Sequence, residues 1–322
     1  MSPRIRSYST VPGFFVQDNP DVDPIVIGAV PPRFGLIDDS KDRWYNLRRK
    51  ITRMNEDADN QTSHKVLILG RHGEGFHNIG EAKYGTKAWD NYWSKLNGDG
   101  EIIWGPDPKL TTLGEEQARI VNQEWKNELS FGLSVPASRY CSPLTRATRT
   151  CLLTFDGLPT SAEHPVVIVE NCREEYGEHT CDKRNSKSWI SAHLPDFVFE
   201  EGFTEEDEIW TANERETHAH AASRAKTTLD MIFDSDDNDF ISITAHGGII
   251  NGLLTAVGRK RYALTTGGVL PLVIYLPPAA IPERWQCLRE LCPEFIFSRV
   301  QDLEEQFSEP PVAKFAPKVI NR

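Results

Sequence analysis

The stretch Lys65-Val66-Leu67-Ile68-Leu69-Gly70-Arg71-His72-Gly73-Glu74-Gly75-Phe76-His77-Asn78 changes character at its middle. Its first half is a short apolar run, the pattern of a strand buried on both faces. Its second half is polar, charged and glycine-rich. Arg71 and His72 are therefore expected at the carboxyl end of that strand. Ligands bind at that end in open α/β sheets, and the following helix turns its free N–H groups and positive dipole end toward the same spot. An arginine, a histidine and a helix start together make an anion site. An isolated Arg-His pair after a strand is more often a salt-bridged loop, so other segments must decide.

Two further junctions repeat the design. Phe240-Ile241-Ser242-Ile243-Thr244-Ala245-His246-Gly247-Gly248 is a β-branched strand ending on a histidine, followed by the helical-looking Ile249 to Leu254. Tyr140-Cys141-Ser142-Pro143-Leu144-Thr145-Arg146-Ala147 reads as a strand end, a serine N-cap at Ser142, Pro143 at the first helical position and an arginine one turn in. A buried strand, Val166 to Val169, delivers Arg173, Glu174 and Glu175 to the same edge of the sheet.

Together these segments resemble the histidine phosphatase superfamily, with its phosphoglycerate-mutase-like fold. Five pieces carry the resemblance, in the family's order: Arg71-His72-Gly73 with Asn78; Leu110 to Gly114 with Gln117; Ser142 to Ala147; Arg173-Glu174; and Ala245-His246-Gly247-Gly248. It implies a three-layer α/β/α fold around a mostly parallel central sheet over residues 62–276. It also implies that His72 is the nucleophile, that Arg71, Asn78, Arg146 and His246 bind phosphate, and that Glu174 is the acid. Glu175 competes for that last role, because the spacing to Gly177 is shorter here than in glycolytic members. Glu178 to Arg184 resembles a stretch of fungal phosphomutase-like members, unlike the longer glycine-centred motif of glycolytic mutases.

The rest of the chain is read from composition and pattern. Its 322 residues are ample for a well-buried core, and 39% hydrophobic and 26% charged residues are those of a soluble globular protein. A net charge of −11 argues against nucleic-acid and membrane-surface partners. A local arginine cluster still permits a small phosphorylated metabolite. No apolar run is long enough for a bilayer and the start lacks a secretory pattern, so the cytoplasm is the expected compartment. Cys141, Cys151, Cys172, Cys181, Cys287 and Cys292 have no repeated C-x-x-C spacing and read as reduced core thiols.

Residues 1–61 are expected to form an N-terminal extension: a proline-rich arm held by Phe14-Phe15-Val16 and Ile25-Val26-Ile27, then an amphipathic helix from Ser40 with Trp44, Leu47, Ile51 and Met54 on one face. Arg48, Arg49 and Lys50 fall on its solvated side. The aromatics Trp89, Tyr92, Trp93 and Trp104 either anchor a long loop or line a pocket, with anchoring preferred. Residues 178–217 read as an acidic cap insertion, and 277–322 as a tail that packs on the domain, with a short helix near Glu283 to Cys292. Pro271 marks the last core strand as an edge or a bulge. His218 and His220 sit two apart on a helix, pointing about 200° from one another, so no metal pair is expected there.

The chemistry follows from charge. Attack on a phosphate monoester needs its negative charge neutralised. Arg71 and Arg146 can each donate two N–H bonds to phosphate oxygens, and His246 adds a third cation if protonated. A neutral His72 can attack phosphorus without metal or cofactor if a nearby carbonyl, such as that of Gly73, fixes its tautomer. The expected activity is a metal-independent phosphomonoester hydrolase working through phosphohistidine. A phosphomutase on a phosphorylated metabolite is the alternative, decided by how well water is excluded. A non-catalytic or repurposed anion-binding protein of the same fold has less physical need for all four of Arg71, His72, Arg146 and His246.

Overall fold

The computed structural model describes residues 6–58 and 62–277. Seven strands, β1 (Ser9–Thr10), β2 (Ser63–Arg71), β3 (Ser138–Cys141), β4 (Val166–Ile168), β5 (Phe197–Phe199), β6 (Phe240–Ala245) and β7 (Val269–Leu276), form one sheet in the order β1-β7-β2-β6-β3-β4-β5. Strands β2, β6, β3, β4 and β5 are parallel, and β7 runs antiparallel to both its neighbours. The α-helices are α1 (Pro24–Ile27), α2 (Arg43–Glu56), α3 (Phe76–Tyr84), α4 (Thr86–Asn91), α5 (Thr112–Leu129), α6 (Thr145–Phe155), α7 (Lys187–His193), α8 (His218–Ser235) and α9 (Gly247–Ala256).

The period-two alternation of β2 sorts the helices into layers. Val66 and Ile68 face a core built from Trp44, Leu47 and Ile51 of α2, Val121 and Trp125 of α5, and Ala147, Cys151 and Phe155 of α6. Leu67 and Leu69 face the other core, with Leu229 and Ile232 of α8 and Ile249, Ile250, Leu253 and Leu254 of α9. The sheet is thus covered on both sides, which is why β6 is buried along its whole length and the Val66 to Leu69 run of β2 is apolar. Truncating a buried leucine such as Leu69 to alanine should cost about 2–5 kcal/mol.

Helix α2 begins at Arg43, and its buried start is fixed by one carboxylate. Glu128 of α5 accepts from Arg43 Nε at 2.6 Å, Arg43 Nη2 at 2.7 Å and Trp44 Nε1 at 2.7 Å. Arg48, Arg49 and Lys50 face solvent. The arm before α2 is anchored by Phe15, which is buried, and by β1. The second expected anchor is wrong in part: Ile25 and Val26 are 78% and 82% exposed, because the short α1 turns them outward. Pro271 has a simple place. Val269 N–H bonds Ala29 O and Val273 O accepts from Val11 N–H, so odd-numbered residues of β7 turn their polar groups away from β2. The N–H that Pro271 lacks would lie on that outer side.

Trp89 and Trp104 are buried against each other, with Tyr84 stacked on Trp93 at 3.9 Å between ring centroids. These aromatics anchor the loop. Residues 178–217 depart from a purely solvated cap, because β5 within them extends the sheet beside β4. The same segment is pinned by Arg184, whose guanidinium bonds Glu170 at 2.8 Å and the carbonyls of Thr204, Glu205 and Glu206. Cys141, Cys151, Cys172 and Cys181 are buried free thiols. Among the described residues no helix is long and apolar enough to cross a membrane. The expected tail helix, Cys287 and Cys292 lie outside the described residues.

Candidate active site

Sheet register brings the site together. Arg71 pairs with Ala245, and Cys141 pairs with both Thr244 and Ile168, so four parallel strands end within a residue of one another. The next residues continue the ladder: His72 N–H bonds Ala245 O and Ser142 N–H bonds Thr244 O, each at 3.0 Å. His72, Ser142 and His246 are therefore neighbours, and the rings of His72 and His246 lie 4.9 Å apart. The loop after His72 is fixed by close backbone crossing. A methyl group on Gly73 would lie 2.1 Å from Gly114 O, and one on Gly114 would lie 2.0 Å from Glu74 O. Gln117 Oε1 accepts from Glu74 N–H at 2.8 Å, and Thr150 Oγ1 accepts from Gly73 N–H at 3.0 Å.

The two histidines are each held by a hydrogen bond. His72 Nδ1 is 2.6 Å from Gly73 O, and a carbonyl only accepts, so Nδ1 carries the proton and Nε2 carries the lone pair. Burial, then the Arg146 and Arg71 charges, push the His72 pKa well below its ordinary value, which keeps the ring neutral. His246 Nε2 lies 2.7 Å from Ser142 Oγ, while its buried Nδ1 meets no protein partner. Ser142 Oγ also accepts from Leu144 N–H at 3.3 Å, and its hydroxyl orients the His246 ring through Nε2. Burial and Arg146 also push the His246 pKa well down. That shift disfavours the charged ring and works against His246 as a third cation.

Ser142 thus orients a histidine and does not cap the helix. Helix α6 starts at Thr145 with Leu144 as N-cap, and the capping oxygens come from a distant loop: Asp107 accepts from Thr145 N–H at 2.8 Å and Thr145 Oγ1 at 2.7 Å. Arg146, one residue on, is 1% exposed. Its Nη1 donates to Cys181 O at 2.6 Å and its Nη2 to Asp182 Oδ1 at 2.7 Å. The expected pair of donations to phosphate is therefore narrower than the sequence suggests. What remains is the buried Nε, which has no protein partner, and the second hydrogen on each terminal nitrogen. Arg71 Nη1 is held by Leu264 O at 2.7 Å and its Nε is likewise unpartnered. Asn78 Oδ1 accepts from Gly75 N–H at 3.0 Å, closing the start of α3 and turning its NH2 group free to donate.

Asp182, His179, His77 and Arg215 were not picked out from the sequence. Asp182 Oδ2 accepts from Arg215 Nη1 at 2.7 Å, so one buried carboxylate serves two guanidiniums. Burial pushes its pKa up, but Arg215 and Arg146 outweigh this and hold it at about 2. His179, Cys181 and Asp182 bring ligand atoms within 4.8 Å of one another. They make a poor metal site, since both Asp182 oxygens are committed to arginines and burial raises the Cys181 thiol well above its ordinary value. The His77 ring lies 5.3 Å from that of His72, with a buried and unpartnered Nδ1. His77 stands in the quoted motif itself, and His179 and Asp182 in the stretch that resembles fungal phosphomutase-like members, though without an assigned role; no local pattern marks Arg215.

Of the two adjacent acids, Glu174 belongs to the site. Its Oε2 accepts from Gly248 N–H at the start of α9 at 3.1 Å and its Oε1 from Glu175 N–H at 2.9 Å. A methyl group on Gly248 would lie 2.1 Å from Oε1. Burial, then the Asp182 charge, raise the Glu174 pKa against those two N–H bonds. Glu175 turns away to His218 Nδ1 at 2.6 Å, and His220 pairs with Glu216 at 2.7 Å, so the two histidines have separate partners. The assembled pocket offers a lone-pair nitrogen, two arginines, neutral donors and one carboxyl of raised pKa. That set can bind a phosphoryl group and move one proton.

Comparison with known proteins gives relatives that cover most of the chain. The chain is 41% identical over 282 residues to "Probable phosphoglycerate mutase" of Arthroderma benhamiae, covering 83% of this chain and 84% of that one. It is 32% identical over 294 residues to "Phosphomutase-like protein 3" of Candida albicans, covering 90% and 88%. It is 33% identical over 255 residues to "Probable phosphoglycerate mutase PMU1" of Saccharomyces cerevisiae, covering 73% and 85%. Residues 67–265, from the second half of β2 to the loop before β7, match the profile of the histidine phosphatase superfamily (branch 1), and the chain belongs to that family.

Proposed function

We propose that the protein is a metal-independent phosphomonoester hydrolase that acts on a small phosphorylated metabolite through a phosphohistidine at His72. The observation that carries this reading is the 2.6 Å bond from His72 Nδ1–H to Gly73 O, which leaves Nε2 as a neutral nucleophile beside two arginines. In the first step Nε2 forms a bond to phosphorus as the bond to the ester oxygen breaks. That oxygen takes its proton from Glu174, whose burial raises its pKa and so favours the protonated form. In the second step water attacks phosphorus, Glu174 takes the water's proton and the N–P bond breaks. Arg71, Arg146, Asn78 and His246 hold the phosphoryl oxygens throughout, and most of the rate enhancement comes from that charge matching.

The names of the fungal relatives favour a second reading, a phosphomutase, in which the phosphohistidine returns its phosphate to a hydroxyl instead of water. One experiment separates the two: release of inorganic phosphate from a panel of phosphorylated metabolites, with EDTA present and His72→Ala in parallel. Hydrolysis predicts release undiminished by EDTA and lower in His72→Ala by about a thousandfold or more. Isomerised product without free phosphate supports the mutase, and release that depends on added metal contradicts both.

A further inference from the structure

Arg224 of α8 is placed outside the pocket, yet its guanidinium is saturated by groups that shape it. An arginine side chain has five N–H donors. Here Nε donates to Glu216 Oε1 at 2.9 Å and Nη2 to Glu216 Oε2 at 2.6 Å. Nη1 donates to Asn171 O at 2.7 Å and Arg173 O at 2.9 Å, and Nη2 also reaches Glu174 O at 3.2 Å. All five donors are used, three of them on carbonyls within the four-residue stretch that ends on Glu174. Arg224 is 7% exposed and Glu216 9%. Glu216 is tied to the same loop a second time, its N–H bonding Tyr176 O at 2.8 Å.

Asn171 lies in the short 3-10 turn Glu170–Cys172 that follows β4, and the Arg173 and Glu174 carbonyls belong to the irregular backbone after it. Collecting all three carbonyls on one planar group sets the peptide plane after Asn171 and the planes on both sides of Glu174. The Glu174 side chain then points at the α9 N-terminus. We infer that Arg224, backed by Glu216, is the positioning residue for the general acid. It makes no contact with the phosphoryl site and acts through the backbone of Glu174. This inference rests on the proposed role of Glu174. A lysine, with three donors on one nitrogen, keeps the charge but cannot span the same acceptors.

The test is Arg224→Lys, assayed with an alkyl phosphate and with p-nitrophenyl phosphate, whose leaving group needs little protonation, alongside thermal unfolding. A misplaced acid predicts that kcat on the alkyl ester falls about tenfold or more, with KM within about twofold and the aryl ester within about twofold. In the double variant Arg224→Lys/Glu174→Gln, the alkyl rate should equal that of Glu174→Gln alone. Equal losses on both esters, or a lowered unfolding temperature with an unchanged alkyl-to-aryl ratio, would overturn the assignment. If Arg224→Lys does not fold, Glu216→Gln read by the same ratio decides it. Should Glu174→Gln itself fail to distinguish the esters, the acid role has failed and not the positioning.

Discussion

Replacing Asp182 by asparagine removes one charge from beneath two arginines, and its cost can be worked from two directions. The drop of the Asp182 pKa from its ordinary 3.8 to about 2 corresponds to roughly 2 kcal/mol of stability at neutral pH. Leaving the 1%-exposed Arg146 side chain without its partner costs about 3–5 kcal/mol by the behaviour of broken buried pairs. Asp182→Asn should therefore lower the unfolding free energy by about 2–5 kcal/mol in urea titrations at pH 7. The sign with pH follows from the depressed pKa: the wild-type contribution is complete above about pH 4 and fades as pH falls toward 2. The variant should lack that fading portion. Inorganic phosphate should recover more stability in the variant than in the wild type, because it supplies an anion for Arg146. Turnover should fall about tenfold or more, since Arg146 is no longer aimed. A loss below about 1 kcal/mol with wild-type turnover would refute this account of the site.

Glu174→Gln should slow an alkyl phosphate far more than an aryl phosphate, by about a hundredfold in the ratio of kcat values; equal losses would remove Glu174 from the acid role. Activity on alkyl esters should span a window whose acid edge is the lowered pKa of His72, which must stay neutral, and whose alkaline edge is the raised pKa of Glu174, which must stay protonated. The alkaline edge should be absent from the profile for p-nitrophenyl phosphate, and its persistence would contradict the assignment. Gly114→Ala forces a methyl group to within 2.0 Å of Glu74 O and should cost about 1–3 kcal/mol or more in thermal unfolding. A neutral outcome would mean that the two backbones can move apart freely.

The strand-to-helix junctions were legible because each joins an apolar run to a polar, glycine-containing turn, and that change of pattern survives in one dimension. Register did the rest: once Arg71 pairs with Ala245, His72 must meet His246. The misreadings have a shared physical origin in partners supplied from far along the chain. Ser142 has the composition of an N-cap, but Asp107 takes that role and frees Ser142 for His246. Arg146 looks like a free anion donor until Asp182, 36 residues away, is seen on it. The choice between Glu174 and Glu175 was open in the sequence; in the structure Glu175 turns to His218 and Glu174 to the α9 N-terminus, which supports the proposed role of Glu174. Ile25 and Val26 are apolar without being buried, because a four-residue helix has no room to turn both toward the core.

The insertion between β4 and α8 is tied down along its length. Its β5 strand is hydrogen-bonded into the sheet, Arg184 gathers its carbonyls, Asp207 is paired with Arg173, and Asp182 sits under Arg146. A swinging lid would have to break sheet hydrogen bonds and several buried ion pairs at every turnover. Among the described residues this segment is instead a standing wall, so under the proposed function its part in choosing a substrate is a matter of shape presented in advance.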